Sequence, residues 1–127
     1  FGPMSLLRRA SLVLCRGHRT FCSPADPFKS VVADLQVTPM GAGNSVSEYI
    51  AACEQVFVRH NLTTKLHAYG TNVQGDWESV QAALKECHAV LHEMGVPRVS
   101  TAVKIGTRLD KEHTITSKLR SVTSKLD

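Results

Sequence analysis

Between Val31 and Thr38 apolar and polar residues alternate without a break. Val31, Ala33, Leu35 and Val37 fall on one face, and Val32, Asp34, Gln36 and Thr38 on the other. That period of two predicts a half-buried strand, which Pro39 and Gly41 end. From Ser45 to Asn61 the rhythm changes. Val46, Tyr49, Ile50, Cys53, Val56 and Phe57 recur at steps of three and four, the stripe of an amphipathic helix. Ser45 and Glu48 stand at capping-box spacing, so each can satisfy an orphan amide of the first turn. Thr63 to Tyr69 reads as a second strand, with Leu66 and Ala68 opposite Lys65, His67 and Tyr69. Gly70 makes a tight connection to a short partner strand, Thr71 to Gln74. Gly75 and Asp76 open a second helix with the seam Trp77, Val80, Leu84, Cys87, Leu91 and Met94. Gly95 is its C-cap, with Pro97 just beyond. Val99, Thr101, Val103 and Ile105 alternate as a last strand that Gly106 closes. Finally Ile115, Leu119, Val122 and Leu126 return to helical spacing. That stripe is too narrow to fold alone and needs a surface to dock on.

The order strand, helix, strand, strand, helix, strand predicts an α+β fold of the ferredoxin-like βαββαβ type. Two helices would cover one face of a four-stranded antiparallel sheet, with an extra C-terminal helix. The opposite face, bearing Val32 and Ala102 among polar residues, would have no helix of its own. Such a face suits a partner subunit.

Composition narrows the function classes. At 127 residues and 43% hydrophobic, the chain is long enough for one domain with a true core. The net charge of +4 is concentrated at one end, where Arg8, Arg9, Arg16 and Arg19 precede the first acidic residue, Asp26. The rest is balanced, so the basic pI is no argument for nucleic acid. Phe1 to Pro3 have the look of a tag remnant before Met4, and the Arg- and Ser-rich, acid-free stretch that follows reads as a mitochondrial presequence. "RTFCS" fits cleavage near Cys22. A secretory signal would need a longer apolar core than Ala10 to Cys15; a cytoplasmic location is the alternative. The expected division is a leader over 1–28 and one domain over 29–127. No apolar run approaches a membrane span. Cys53 and Cys87 lie on apolar helix faces and read as buried free thiols.

The candidate chemistry is sparse. "TPMGAGNS" lacks both the Walker spacing and the dinucleotide fingerprint, so it reads as a turn with an N-cap rather than a phosphate loop. His88 and His92 share a helical face but want further ligands to hold a metal, and a hydrogen-bonded, half-buried histidine is the simpler reading. No serine elbow or activated cysteine points to acyl transfer, and no enzyme, cofactor or metal site is expected. Asp34 asks most for an explanation, because a carboxylate within a strand is disfavoured and costly unless paired. Lys104, Arg98, Arg108 or a ligand could supply the opposite charge.

The segments "ADLQVTPMGAGNSVSEYIAACE", "HAYGTNVQGDWESVQAALKECHAVLHEMG" and "PRVSTAVKIGTRLDK" together resemble the thiamine-binding-protein-like family. These are single-domain relatives of the bacterial hydroxymethylpyrimidine/thiamine-binding protein. The likeness spans about Val31 to Val122. It implies the same fold, assembly through the sheets into dimers or tetramers, and a small-molecule ligand, thiamine or its hydroxymethylpyrimidine half, for delivery, buffering or sensing of the vitamin. Read with strand facing, it implies ligand-binding roles for Asp34, Gln36, Ser45, Ser47, Tyr69, Thr71, Asn72 and Lys104. Asp34 would offset the thiazolium charge, Gln36, Thr71 and Asn72 would bond the pyrimidine edge, and Tyr69 or Trp77 would stack. Trp77 as a plain core anchor is the competing reading. The alternative to a binding module is an interaction protein whose assembly is itself the function.

Overall fold

A computed structural model describes residues 26–126, and the expected leader lies almost wholly outside them. The elements follow the predicted order: β1 (Val31–Met40), α1 (Ser47–Arg59), β2 (Thr63–His67), β3 (Gly70–Gly75), α2 (Trp77–Glu93), β4 (Arg98–Gly106) and α3 (Ile115–Thr123). The sheet runs β2-β3-β1-β4 and every pairing is antiparallel. This is the ferredoxin-like α+β arrangement.

Burial follows the alternation of β1. Val31, Ala33 and Leu35 are buried under α1 and α2 with Val73, Val56, Phe57, Val80, Cys87 and Leu91. Removing their apolar surface from water, at roughly 25 cal/mol per Å², is what holds the helices to the sheet. The caps differ between the helices. Asp76 accepts from the Ser79 amide at 3.0 Å and caps α2. At α1 the expected Ser45 cap does not form: Val46 holds the N-cap position with no side-chain bond, and the Ser45 hydroxyl meets Ser47 Oγ at 3.4 Å. The helix starts at Ser47, one residue too late for Ser45 to be its N-cap, after a turn with positive φ at Gly41 and Gly43. Trp77 anchors the start of α2 against the core and meets Phe28 edge-on, ring centroids 5.6 Å apart.

The β1–β3 ladder ends at Leu35↔Thr71, whereas the β1–β4 ladder runs on to Met40↔Arg98. The last residues of β1 therefore have a strand neighbour on one side only, and a notch opens beside them. The open sheet face is less bare than expected. The Ile115 amide donates to Gln74 Oε1 at 2.9 Å, and Ser30 Oγ donates to the His113 carbonyl at 3.3 Å. These bonds lay the start of α3 over one end of that face. Only Ile115 of its stripe is buried; Leu119 and Val122 stay exposed.

Candidate functional site

Two clefts flank β1, one on each face of the sheet. The first, about 290 Å³, occupies the notch on the helix side. Its floor is Val37 and Pro39, its wall Ile50, Cys53 and Phe57 of α1, and its lip Ala68 and Tyr69 of the β2–β3 turn. Tyr69 is 82% exposed there. Among its polar lining residues, Gln36, Thr38, His67 and Thr71 with Glu54, the carboxylate is Glu54. Its carboxylate accepts a short hydrogen bond from Thr71 Oγ1, and Thr71 is itself buried at 4% exposure. Glu54 sits four residues after Ile50 and three before Phe57, so the helix aims it along its apolar face rather than at bulk water. A carboxylate with one hydroxyl partner in a mainly apolar hollow retains acceptor capacity for a cationic ligand.

The second cleft, about 240 Å³, lies on the open face between the sheet and α3. Val32, Asn72, Lys104, His113 and Lys118 border it, with Asp34 at its edge. Asp34 is already partnered. His67 Nε2 lies 2.7 Å from Asp34 Oδ1, and Asn72 Nδ2 donates to the same oxygen at 3.1 Å. Lys104 is directly across the β1–β4 ladder from Asp34, yet no Asp34–Lys104 bridge forms among the described residues. The open face thus answers the question of the in-strand carboxylate with a histidine and an amide instead of a lysine.

The eight expected ligand residues do not form one site. Thr71 and Asn72 are adjacent in β3 and so face opposite sides of the sheet. Thr71 and Tyr69 go to the helix-side cleft, which Gln36 also borders; Asn72, Asp34 and Lys104 go to the open-face cleft. Ser45, just ahead of α1, and Ser47, its first residue, are exposed and border neither. His88 and His92 take separate partners, Thr101 Oγ1 at 2.7 Å and the Val96 carbonyl at 2.8 Å. Among the described residues no group of three His, Cys, Asp or Glu is placed to hold a metal.

Cys53 and Cys87 approach one another across the α1–α2 interface, and Cys87 Sγ lies 3.9 Å from the Cys53 carbonyl. The Cys87 thiol donates toward Cys53, which lowers the proton affinity of Cys53 and, with burial, pushes that of Cys87 far up.

Comparison with known proteins places this geometry. The family model described as "Thiamine-binding protein" matches residues 33–123. The chain is 44% identical over 98 residues to a UPF0045 protein of Synechocystis, covering 77% of this chain and 81% of that one. A solved structure from Methanocaldococcus jannaschii, of a hypothetical protein, superposes with a TM-score of 0.71 at 37% identity and covers 75% of this chain and 97% of its own. A Thermotoga maritima structure, provisionally assigned to thiamine biosynthesis or salvage, gives 0.63 at 20% identity, covering 72% and 97%; at that identity it shows a common fold.

Proposed function

As the chain belongs to the thiamine-binding protein family, whose character is small-molecule binding, we propose that the helix-side cleft takes thiamine or its hydroxymethylpyrimidine half. Glu54 is the counter-ion in this reading. The observation that carries it is the Glu54 carboxylate held inside an apolar cleft with Thr71 as its hydrogen-bond partner. At an effective dielectric of about 20, a cation about 4 Å from that carboxylate gains roughly 4 kcal/mol before desolvation is charged against it. The exposed Tyr69 ring at the lip offers a further ~0.5–2 kcal/mol to a cation or flat ring laid on it. Asp34 is a poorer candidate, because His67 and Asn72 already engage it.

The test is calorimetry and thermal unfolding with thiamine, its phosphates and hydroxymethylpyrimidine. A ligand at a hundredfold excess over its Kd should stabilise the fold by ~2.7 kcal/mol. Glu54→Gln should abolish the thiamine effect and Asp34→Asn should leave it. Loss in Asp34→Asn alone would return the site to the open face. In this proposal the chain binds and delivers, buffers or senses the vitamin without transforming it. The composition of the leader supports mitochondria as its location.

An assembly reading has its own support. Met40 and Ala102 are exposed on the open face beyond α3, and Leu119 and Val122 stand out on α3. A homodimer or tetramer formed through that surface would cover them. Sedimentation of the full chain tests this: a ligand-free monomer at micromolar concentration would remove it.

A further inference from the structure

The open-face cleft carries the opposite charge to the helix-side one. Lys104 enters it from β4 and Lys118 from the first turn of α3. Neither forms an ion pair among the described residues. Between them lies His113, 92% removed from solvent at 8% exposure. Its Nδ1 is buried and has no hydrogen-bond partner. The other edge of the ring rests on Gly106: a Cβ there would stand 3.4 Å from His113 Cε1 and 3.9 Å from Nε2. Gly106 and His113 both line the cleft, and Nε2, unlike Nδ1, is not among the fully buried nitrogens.

An unpartnered buried imidazole and two unpaired ammonium groups around one hollow are an arrangement of like sign. Burial, Lys118 and Arg108 all press His113 toward its neutral form, against a smaller opposing pull from Asp110. Neither lysine is ion-paired with a carboxylate among the described residues. Asp34 borders the cleft, but its Oδ1 is committed to His67 and Asn72.

We propose that this cleft is a binding site for an oxyanion of the phosphate class, free or as a monoester, held by Lys104, Lys118 and the outward edge of His113. The oxygens of such an anion can accept from both ammonium groups and from an imidazole N–H at once. At about 240 Å³ the space has room for a small anion of this class. The site does not depend on the thiamine reading, because Glu54 lies on the other side of the sheet.

The experiment is titration of the full chain with inorganic phosphate and, separately, glycerol phosphate, in low-chloride buffer. It is followed by calorimetry and by the ring proton shifts of His113. Saturable binding of either anion is expected, with the His113 ring taking up its proton at higher pH once the anion is bound. Lys118 and Arg108 press its proton affinity down and Asp110 pulls it up, and Lys104 and Asp34 are the other charged groups that border the cleft. Lys104→Gln with Lys118→Gln should weaken binding about tenfold or more, the factor that corresponds to ~1.4 kcal/mol. Asp34→Asn, which removes the nearest negative charge, should not weaken it. Tighter binding of the ester assigns the site to phosphorylated metabolites, and equal binding assigns it to the bare anion. No binding of either at about 10 mM, or unchanged binding in the double lysine variant, overturns the proposal. The lysine variants alter exposed side chains, so the test survives should a His113 substitution fail to fold.

Discussion

The bond between Thr71 and Glu54 gives the sharpest test of the helix-side cleft, because its strength can be measured without knowing the ligand. Thr71 is buried and its hydroxyl donates to a carboxylate. Hydrogen bonds to charged groups contribute about 1.5–3 kcal/mol net. Glu54 is half-buried and sees water through the cleft, so screening should bring the figure to the lower end. Thr71→Val preserves volume and removes the donor; the expected cost is about 1.5 kcal/mol. In a Glu54→Gln background the acceptor is neutral, and neutral bonds are roughly half as strong. There the same change should cost about 0.7 kcal/mol, leaving a coupling near 0.8 kcal/mol. Urea unfolding at neutral pH with a common slope reads this directly. For a domain of this size, 1 kcal/mol is also ~4–8 °C in Tm. Equal costs in the two backgrounds, within about 0.3 kcal/mol, would mean that the charge on Glu54 adds nothing to the bond and that the cleft is not organised around that carboxylate as described. The ligand test has the opposite sign for the two residues. Thr71→Val frees the carboxylate, so it should preserve or tighten thiamine binding, whereas Glu54→Gln should remove it.

Three further outcomes follow from the packing. Gly70→Ala would drive a Cβ to 2.5 Å from the Leu35 carbonyl oxygen, and backbone cannot yield as a side chain can; about 2–3 kcal/mol of stability should be lost, and a wild-type urea midpoint would refute the close approach. Small alkylating reagents should modify Cys53 before Cys87, because Cys53 borders the cleft and receives the Cys87 hydrogen bond while Cys87 is held neutral; peptide mapping that finds Cys87 labelled first would contradict this. His113 is held below its ordinary value of 6.5 by burial, Lys118 and Arg108, so the unfolded chain takes up that proton first. Its contribution to stability is complete above that value and declines as pH falls below it. His113→Asn should flatten the acid side of the stability profile below about pH 6.5, and an unchanged slope would show that other groups set it.

The periodic parts of the fold were readable from the residues alone. The alternation of β1 matches burial, and the seam of α2 does so at Val80, Cys87 and Leu91, whereas Met94 is exposed and the buried Ala83 lies off the seam. Local rules failed where a neighbouring turn decided the outcome. The Ser45–Glu48 spacing implies a cap, but the helix starts at Ser47 with Val46 as its N-cap, so Ser45 stands one residue outside the capping position. The ligand residues rest on strand facing and the family resemblance, which put Thr71 and Asn72 together after Gly70, and the period of two in β3 divides them between the two faces. Glu54 was passed over although it carried a signal: it interrupts the row Ile50, Glu54, Phe57 on the buried side of α1. A carboxylate in an apolar helical row needs a partner, and that partner, Thr71, is visible only once β3 is placed. His113 had no local signal at all. Its burial comes from the return of α3 over the sheet, a consequence of the long-range bonds from Ile115 to Gln74 and from Ser30 to the His113 carbonyl.

Unequal strand lengths explain why a hollow exists on the helix side. β1 has ten residues and β3 six. β3 can pair only as far as the β2–β3 turn allows, and Gly70, where that turn rejoins the ladder, is pressed against the Leu35 carbonyl. Beyond this point the edge of β1 carries Pro39, which has no amide to offer a strand. Its missing donor makes an unpaired edge less costly than it would be with any other residue. The apolar floor of Val37 and Pro39 and the carboxylate of Glu54 thus meet where the sheet runs out of partners. The same β1 carries Asp34 on its other face, where His67 and Asn72 partner it and leave Lys104 unpaired beside His113 and Lys118. One strand therefore separates a cleft suited to a cation from one suited to an anion, and the alternation along β1 and β3 is what assigns each side chain to its side.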